Sequence, residues 1–304
     1  MYLPDFDYYS PATVKEACST LARLDGSASV LAGGTDLLPY MKNEVMAPKA
    51  LVSLKEIEGL QEITHVSGKG VVIGARATQN ALIRSDILNQ RYLAVSETAH
   101  AMANYQIRNR GTIGGNIVSA APSADLPPIL IALRASVTLQ GTEVTRTIPL
   151  EEFFTGPRRT VILRDEILTQ VVIPDQATTG SAYFKFGLRR SGALAVVGVA
   201  ASIVADGMHI KEVRIVLGAV APTPIRAAGA EQLLSGKTVT EALLEQAGRA
   251  AADECKPISD IRGSEEYRRE MVAVFTKRAI RKALNLTVSG KRTDSTSDGT
   301  KETG

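Results

Sequence analysis

Two glycine-rich stretches hold the residue types best suited to binding a ligand, and they would act mainly through the backbone. The longer runs Arg110-Gly111-Thr112-Ile113-Gly114-Gly115-Asn116, continues through Pro122 and ends at Asp125. Glycine lets the chain reach φ > 0 and lets backbone N–H groups approach a ligand closely. Successive N–H groups in such a turn make a concave anion site that suits a phosphate. A tight turn in a β-rich core would use the same glycines, but a second stretch of the same character favours the ligand. Val30-Leu31-Ala32-Gly33-Gly34-Thr35-Asp36-Leu37 is an apolar run that breaks into Gly-Gly-Thr-Asp. Two glycine turns, each with a Thr and an Asp nearby, suit a ligand carrying two phosphates and a ribose. Neither turn has the spacing G-x-G-x-x-G or G-x-x-x-x-G-K-[ST], so the Rossmann and P-loop fingerprints are missing.

The remaining reactive side chains form no constellation. Asp36 fits a ligand role and equally a helix-capping role, while for Asp125 the ligand role is favoured over a cap. His65, His100 and His209 show no metal spacing, and no serine lies in a nucleophile elbow. Lys185, Arg108, Arg110, Arg189 and Arg190 read on their own as solvated charge. Phe153 and Phe154 read as core. The only cysteines, Cys18 and Cys255, are far apart, which excludes an all-cysteine iron–sulfur cluster or cysteine zinc knuckle within this chain.

Composition sets the frame. The chain has 304 residues, 44% apolar and 22% charged, with a net charge of +3. That is ordinary for a globular protein and too weakly basic to argue for nucleic acid or an anionic membrane. No basic-then-apolar leader opens the chain and no apolar run reaches membrane-spanning length, so it reads as cytoplasmic.

The elements that must position the glycine turns follow in order. Residues 6–9 read as a strand and Thr13 with Glu16 as a capping box opening a helix. Residues 28–32 form a strand running into the first glycine turn, which makes a parallel βαβ unit. A helix over 36–42 and a strand over 50–54 close a first subdomain near residue 60. Strand 70–75, one helix over 78–88 and another over 92–102 lead to the second glycine stretch. A helix over 126–133, hairpin strands over 136–140 and 143–148, and a strand over 167–173 complete the second subdomain. Residues 176–180 are a polar connector. Apolar strands over 196–204 and 210–217 follow, joined by Asp206-Gly207, and then helical spacing to about residue 286. Residues 287–304 carry hardly an apolar side chain and read as a disordered tail.

Several of these stretches together resemble the FAD-binding medium subunit of the molybdenum hydroxylases, the group of xanthine dehydrogenases and aerobic carbon monoxide dehydrogenases. They are residues 32–36, 74–78, 107–125 and 165–168, then Lys185 with Arg189-Arg190, residues 217–226 and residues 259–268. The resemblance implies an α+β fold. A two-subdomain FAD-binding domain of the PCMH/vanillyl-alcohol-oxidase type would span 1–176, divided into 1–60 and 61–176. A small α+β domain with a three-stranded antiparallel sheet, of the carbon monoxide dehydrogenase flavoprotein type, would span 180–286.

It also implies residue roles. The loop from Val30, Leu31 and Ala32 through Gly33, Gly34, Thr35, Asp36 and Leu37 would hold the pyrophosphate through backbone N–H groups, as would Thr112, Gly114, Gly115 and Asn116. Thr35 and Asn116 would add side-chain bonds, and Asp125 would accept from ribose or ribityl hydroxyls. The backbone near Ile167 and Leu168 would line the isoalloxazine or adenine pocket. Lys185 would bring positive charge to the flavin's polar edge. Met102 and Ala103 stand where the animal xanthine oxidoreductases place an aromatic over the flavin, which makes Ala103 a further cofactor neighbour. Ser191-Gly192-Ala193 replaces an acidic residue found in many members. With two cysteines, the chain lacks the four-cysteine insert of one thioester-reducing relative.

The implied function is a flavoprotein subunit with no catalytic side chain and no metal of its own. It would pass electrons from [2Fe-2S] clusters in a small partner subunit to NAD or a quinone, with the molybdenum cofactor on a large partner in a heterotrimer or its dimer. A stand-alone FAD-dependent oxidoreductase of the same fold and a non-catalytic flavin carrier are the alternatives.

Overall fold

In the computed structural model, residues 3–189 and 191–284 are described; the tail expected over 287–304, and Arg190, lie outside them. The first unit is a three-stranded parallel sheet. Thr13 Oγ1 accepts from the Glu16 N–H and starts the helix Val14–Leu24, which buries Ala17, Cys18 and Leu21. That helix carries the chain from Asp7–Tyr9 back to Ala28–Leu31 in the parallel sense expected. The two strands are not neighbours, because Ala50–Ser53, buried at every residue, inserts between them. The fully buried strand takes the centre, where both edges and both faces are covered, although Ala28–Leu31 has the same four residue types.

The second unit is a five-stranded antiparallel sheet in the order Ile63–Val66, Gly70–Gly74, Ile167–Ile173, Ser136–Gln140, Thr145–Pro149. Its hairpin begins its second strand at Thr145 rather than at the expected residue 143. The single helix expected over 78–88 is two, Gln79–Arg84 and Asp86–Arg91. Ser85 separates them, its hydroxyl accepting from the Leu88 N–H, a local bond that competes with helix continuation. The helix expected over 92–102 is the shorter Leu93–His100.

The third unit is a second antiparallel sheet. Its three long strands, Gly180–Phe186, Val197–Asp206 and His209–Gly218, are joined at one edge by the short strands Ile225–Arg226 and Lys237–Thr238. The first of these strands begins where the connector reading ended. Helices Glu241–Glu254 and Glu265–Ala283 cover one face and share an apolar cluster with it. The other face meets Leu126–Ala132, a helix buried at every residue. Tyr183, Ala200 and Val216 therefore belong to the same core as Ile129, Leu130 and Val171 of the preceding unit. Phe153 is fully buried in that core and Phe154 packs against it, as expected.

Candidate cofactor site

The strand Ala28–Leu31 ends directly at the first glycine loop, so that Val30 and Leu31 pair with Val52 and Ser53 while the following residues leave the sheet. Gly34 takes a φ of +74°, a left-handed conformation that only glycine adopts cheaply. The helix Leu37–Lys42 then begins, its first turn closed by Leu38 N–H to Gly34 O at 3.1 Å. From Gly33 through Leu37, no backbone N–H donates to any group among the described residues. Buried or half-buried N–H groups in proteins are nearly always paired. A run of unpartnered donors at the end of a strand is the arrangement that receives an anion. Asp36 stands at the helix start, yet its carboxylate caps nothing.

The second stretch differs from its expected form. Gly111, Gly114 and Gly115 have no positive φ. Thr112 caps the short helix Ile113–Val118, with Thr112 Oγ1 accepting from the Gly115 N–H at 3.0 Å. Ile113 N–H donates to Ala77 O and Gly114 N–H to Ala75 O, each at 2.9 Å, and Asn116 N–H donates to Thr112 O. Of the backbone donors expected to meet phosphate from this loop, those of Gly114, Gly115 and Asn116 are thus engaged within the protein, and Thr112 N–H alone has no partner among the described residues.

The glycines serve close approach instead. A Cβ on Gly114 would lie 2.8 Å from both the Cβ and the carbonyl oxygen of Ala75. A Cβ on Gly33 would lie 2.0 Å from the carbonyl oxygen of Arg110. The two glycine loops therefore touch, backbone against backbone, across the boundary between the first two units. What the second loop offers is a side chain: Asn116 Oδ1 is buried and has no hydrogen-bond partner.

Beyond it the chain reaches Asp125, whose carboxylate also caps no helix. Its Oδ1 accepts from the Tyr183 hydroxyl and its Oδ2 from Lys185 Nζ, both at 2.8 Å. The two side chains of the ion pair are 10% and 7% exposed. Tyr183 and Lys185 lie two apart on one strand and so share a face. Burial pushes the Asp125 carboxyl above the usual carboxylate range, while the Lys185 ammonium and Tyr183 hydroxyl pull it back. Burial and the neighbouring Asp125 charge push the Tyr183 phenol well above its ordinary value. Lys185 Nζ also reaches Ala101 O at 3.4 Å. Ala103, held at φ +41°, accepts at its carbonyl from Gly192 N–H and Ser191 Oγ. The third unit is thus stitched to the loop at residues 101–103.

Ile167 and Leu168 lie in the central strand at 2% and 3% exposed, paired with Gln140 and Leu139, their side chains in the core. Tyr183 carries no motif; only its spacing from Lys185 on a strand could have pointed to it. No group of acidic, histidine or cysteine side chains among the described residues is arranged to hold a metal ion.

These features fit FAD. The unpartnered N–H groups match a pyrophosphate, the orphaned Asn116 oxygen matches a donor on the cofactor, and Asp125 has accepting capacity left. An ionised carboxylate offers about four acceptor positions, and the protein fills two of them here.

Comparison with known proteins agrees. Residues 4–176 match the family model described as the FAD binding domain in molybdopterin dehydrogenase, and residues 182–283 match the CO dehydrogenase flavoprotein C-terminal domain. The carbon monoxide dehydrogenase medium chain of Hydrogenophaga pseudoflava is 37% identical over 93% of this chain and 98% of its own length. The xanthine dehydrogenase FAD-binding subunit of Escherichia coli O157:H7 is 31% identical over 91% of this chain and 95% of its own. Among solved structures, carbon monoxide dehydrogenase from H. pseudoflava lacking the Mo-pyranopterin moiety superposes with a TM-score of 0.91. It covers 94% of this chain and 99% of the matched one at 37% identity.

Proposed function

The chain belongs to the FAD-binding medium subunits of the molybdenum hydroxylase family, and on that premise we propose that it relays electrons. They enter from iron–sulfur clusters of a small partner subunit and leave to an external acceptor, NAD or a quinone. The observation that carries the site assignment is the run of unpartnered N–H groups at residues 33–37 beside the buried Asp125–Tyr183–Lys185 cluster.

Bound FAD supplies the exchange between one-electron carriers and a two-electron acceptor. The chain's own residues bind and orient. The backbone from Gly33 to Leu37 receives the pyrophosphate, helped by the Thr35 hydroxyl, and Asn116 accepts from the cofactor. Asp125 accepts from the ribose or ribityl hydroxyls with its two remaining positions. Lys185 brings positive charge to the flavin's polar edge, but a charge already balanced by Asp125, so the site is close to neutral before the cofactor binds. No side chain of this chain need donate or remove a proton from a substrate. The relatives above are named for carbon monoxide and xanthine, and that divergence supports a substrate pocket on another subunit.

Flavin stoichiometry with turnover assays tests this reading. The purified complex is expected to release about one FAD per copy of this chain, and the isolated chain to show no substrate-dependent turnover. Full turnover by the isolated chain with a single small molecule would favour the stand-alone oxidoreductase instead.

A further inference from the structure

A small hairpin packed on the core of the second unit reaches the helix that follows the first glycine loop. Phe154–Gly156 and Arg159–Thr160 pair antiparallel, and Pro157 with Arg158 makes the turn between them. Arg158 takes a φ of +57°, a left-handed conformation that glycine or asparagine would adopt with less strain. The turn nevertheless carries an arginine, and its side chain has a definite seat. The guanidinium carbon lies over the ring of Tyr40, 4.6 Å from the centroid, in a cation–π arrangement. The Arg158 N–H donates to Ala120 O at 2.9 Å. Ala120 directly follows Ser119, which ends the helix begun by Thr112.

Tyr40 in turn lies one helical turn from Asp36. Its N–H donates to Asp36 O at 3.0 Å, and residues four apart share a helix face. Asp36 belongs to the run of residues with unpartnered N–H groups, and its carboxylate caps nothing. Partial burial pushes this carboxyl above the usual carboxylate range, while the Arg158 charge and then the Ser119 hydroxyl pull it back. Arg158 thus bridges the helix after the first glycine loop and the end of the helix after the second.

A carboxylate inside a loop that receives pyrophosphate works against its own ligand. Like charges a few ångströms apart repel even near a protein surface. A cation removes that penalty only if it is held in place, and a free, solvated arginine is not. Stacking on Tyr40 and the bond to Ala120 hold this one.

We propose that Arg158 is a positioning residue of the cofactor site. From its seat on Tyr40 it offsets the Asp36 carboxylate and ties the two glycine loops together through the helices that follow them. The loop from Gly33 to Leu37 can then receive an anionic pyrophosphate. This rests on the reading that the FAD pyrophosphate lies on that loop.

A double-mutant cycle on FAD affinity decides it, with the full chain stripped of flavin and titrated by fluorescence. Arg158→Met keeps the length of the side chain and loses its charge, and is expected to weaken FAD binding about tenfold. In the Asp36→Asn background the same substitution is expected to cost no more than about twofold, because no carboxylate is left to offset. Wild-type affinity in Arg158→Met overturns the proposal. An equal loss in both backgrounds also overturns it, since a turn that had merely lost its packing would behave in that way. Gly33→Ala reports on the underlying reading. If that variant binds FAD like wild type, the pyrophosphate is not on this loop and the proposal falls with the assignment. If Gly33→Ala binds poorly and Arg158→Met binds normally, the loop assignment stands and only the role of Arg158 is refuted.

Discussion

Tyr183 is the residue that ties the cofactor site to the last unit. Its hydroxyl donates to the Asp125 carboxylate and so stabilises the charged form. Tyr183→Phe removes that bond and keeps the ring, so the Asp125 carboxyl must move further up from a value that burial has already raised. Protonated Asp125 accepts less well from cofactor hydroxyls, and FAD affinity is lost as pH falls through the carboxyl's pKa. The variant should therefore lose FAD at a higher pH than the wild type, with a weakening of about tenfold where the two curves separate. Fluorescence titration of FAD from neutral pH downward checks this; superimposable curves would mean that the bond is only structural.

Glycine substitutions separate close approach from conformation. Gly33→Ala places a Cβ 2.0 Å from the Arg110 carbonyl oxygen, so the loops must part and FAD binding should fall sharply. Gly59 has φ +76° but nothing within 4 Å. Gly59→Ala should cost only roughly 1–2 kcal/mol of conformational strain and leave FAD affinity intact. Flavin content of the two variants distinguishes them. The glycines of the second loop were legible in the sequence as important, but their role was not. Pattern alone cannot tell a φ > 0 turn from a helix packed too tightly for a Cβ, and Gly114 against Ala75 is the latter.

At the scale of elements, one strand-to-loop passage and one capped turn between two short helices carry the candidate site. The strand Ala28–Leu31 is readable from residue type, and the structure has it. That Thr112 caps a helix is not, because the glycines after it read as a loop. What the pattern did not reveal came from pairings distant in sequence or from single hydroxyls. Ala50–Ser53 lies between its two parallel partners because it is the most buried strand of the three, a choice made by tertiary burial. Ser85 divides a helix whose apolar spacing runs unbroken through it. The strand Gly180–Phe186 starts in the polar connector, which hides its pattern and Tyr183 with it. Thr112→Val should remove the cap bond to Gly115 and cost about 1 kcal/mol. Because the loop is also held by Ala75 and Ala77, the loss should show in chemical denaturation while the fold survives.

The whole molecule binds its units through a shared core rather than a hinge. Leu126–Ala132 packs on the last unit's sheet and belongs to the same core as the five-stranded sheet before it, and Asp125 at its head is bonded by the last unit. A chain cut at residue 176 would expose that helix and unpair Asp125, so the truncated form should bind FAD poorly even with both glycine loops intact. The full chain should unfold in one calorimetric transition, moved upward by FAD. At a hundredfold excess over Kd the gain is about 2.7 kcal/mol, or roughly 4–5 °C for a chain of this size. Two separate transitions, only one of them sensitive to FAD, would contradict the shared core. No helix among the described residues is long and apolar enough to cross a membrane.

The central claim is that electrons pass through this chain on their way from the iron–sulfur subunit to the acceptor. Rapid mixing of the pre-reduced small subunit with the FAD-loaded chain, with no external acceptor present, tests it most directly. The flavin band near about 450 nm is predicted to bleach at a rate that rises with small-subunit concentration and then saturates. An unchanged band, in a mixture where the small subunit still reduces NAD or a quinone added afterwards, would contradict the account.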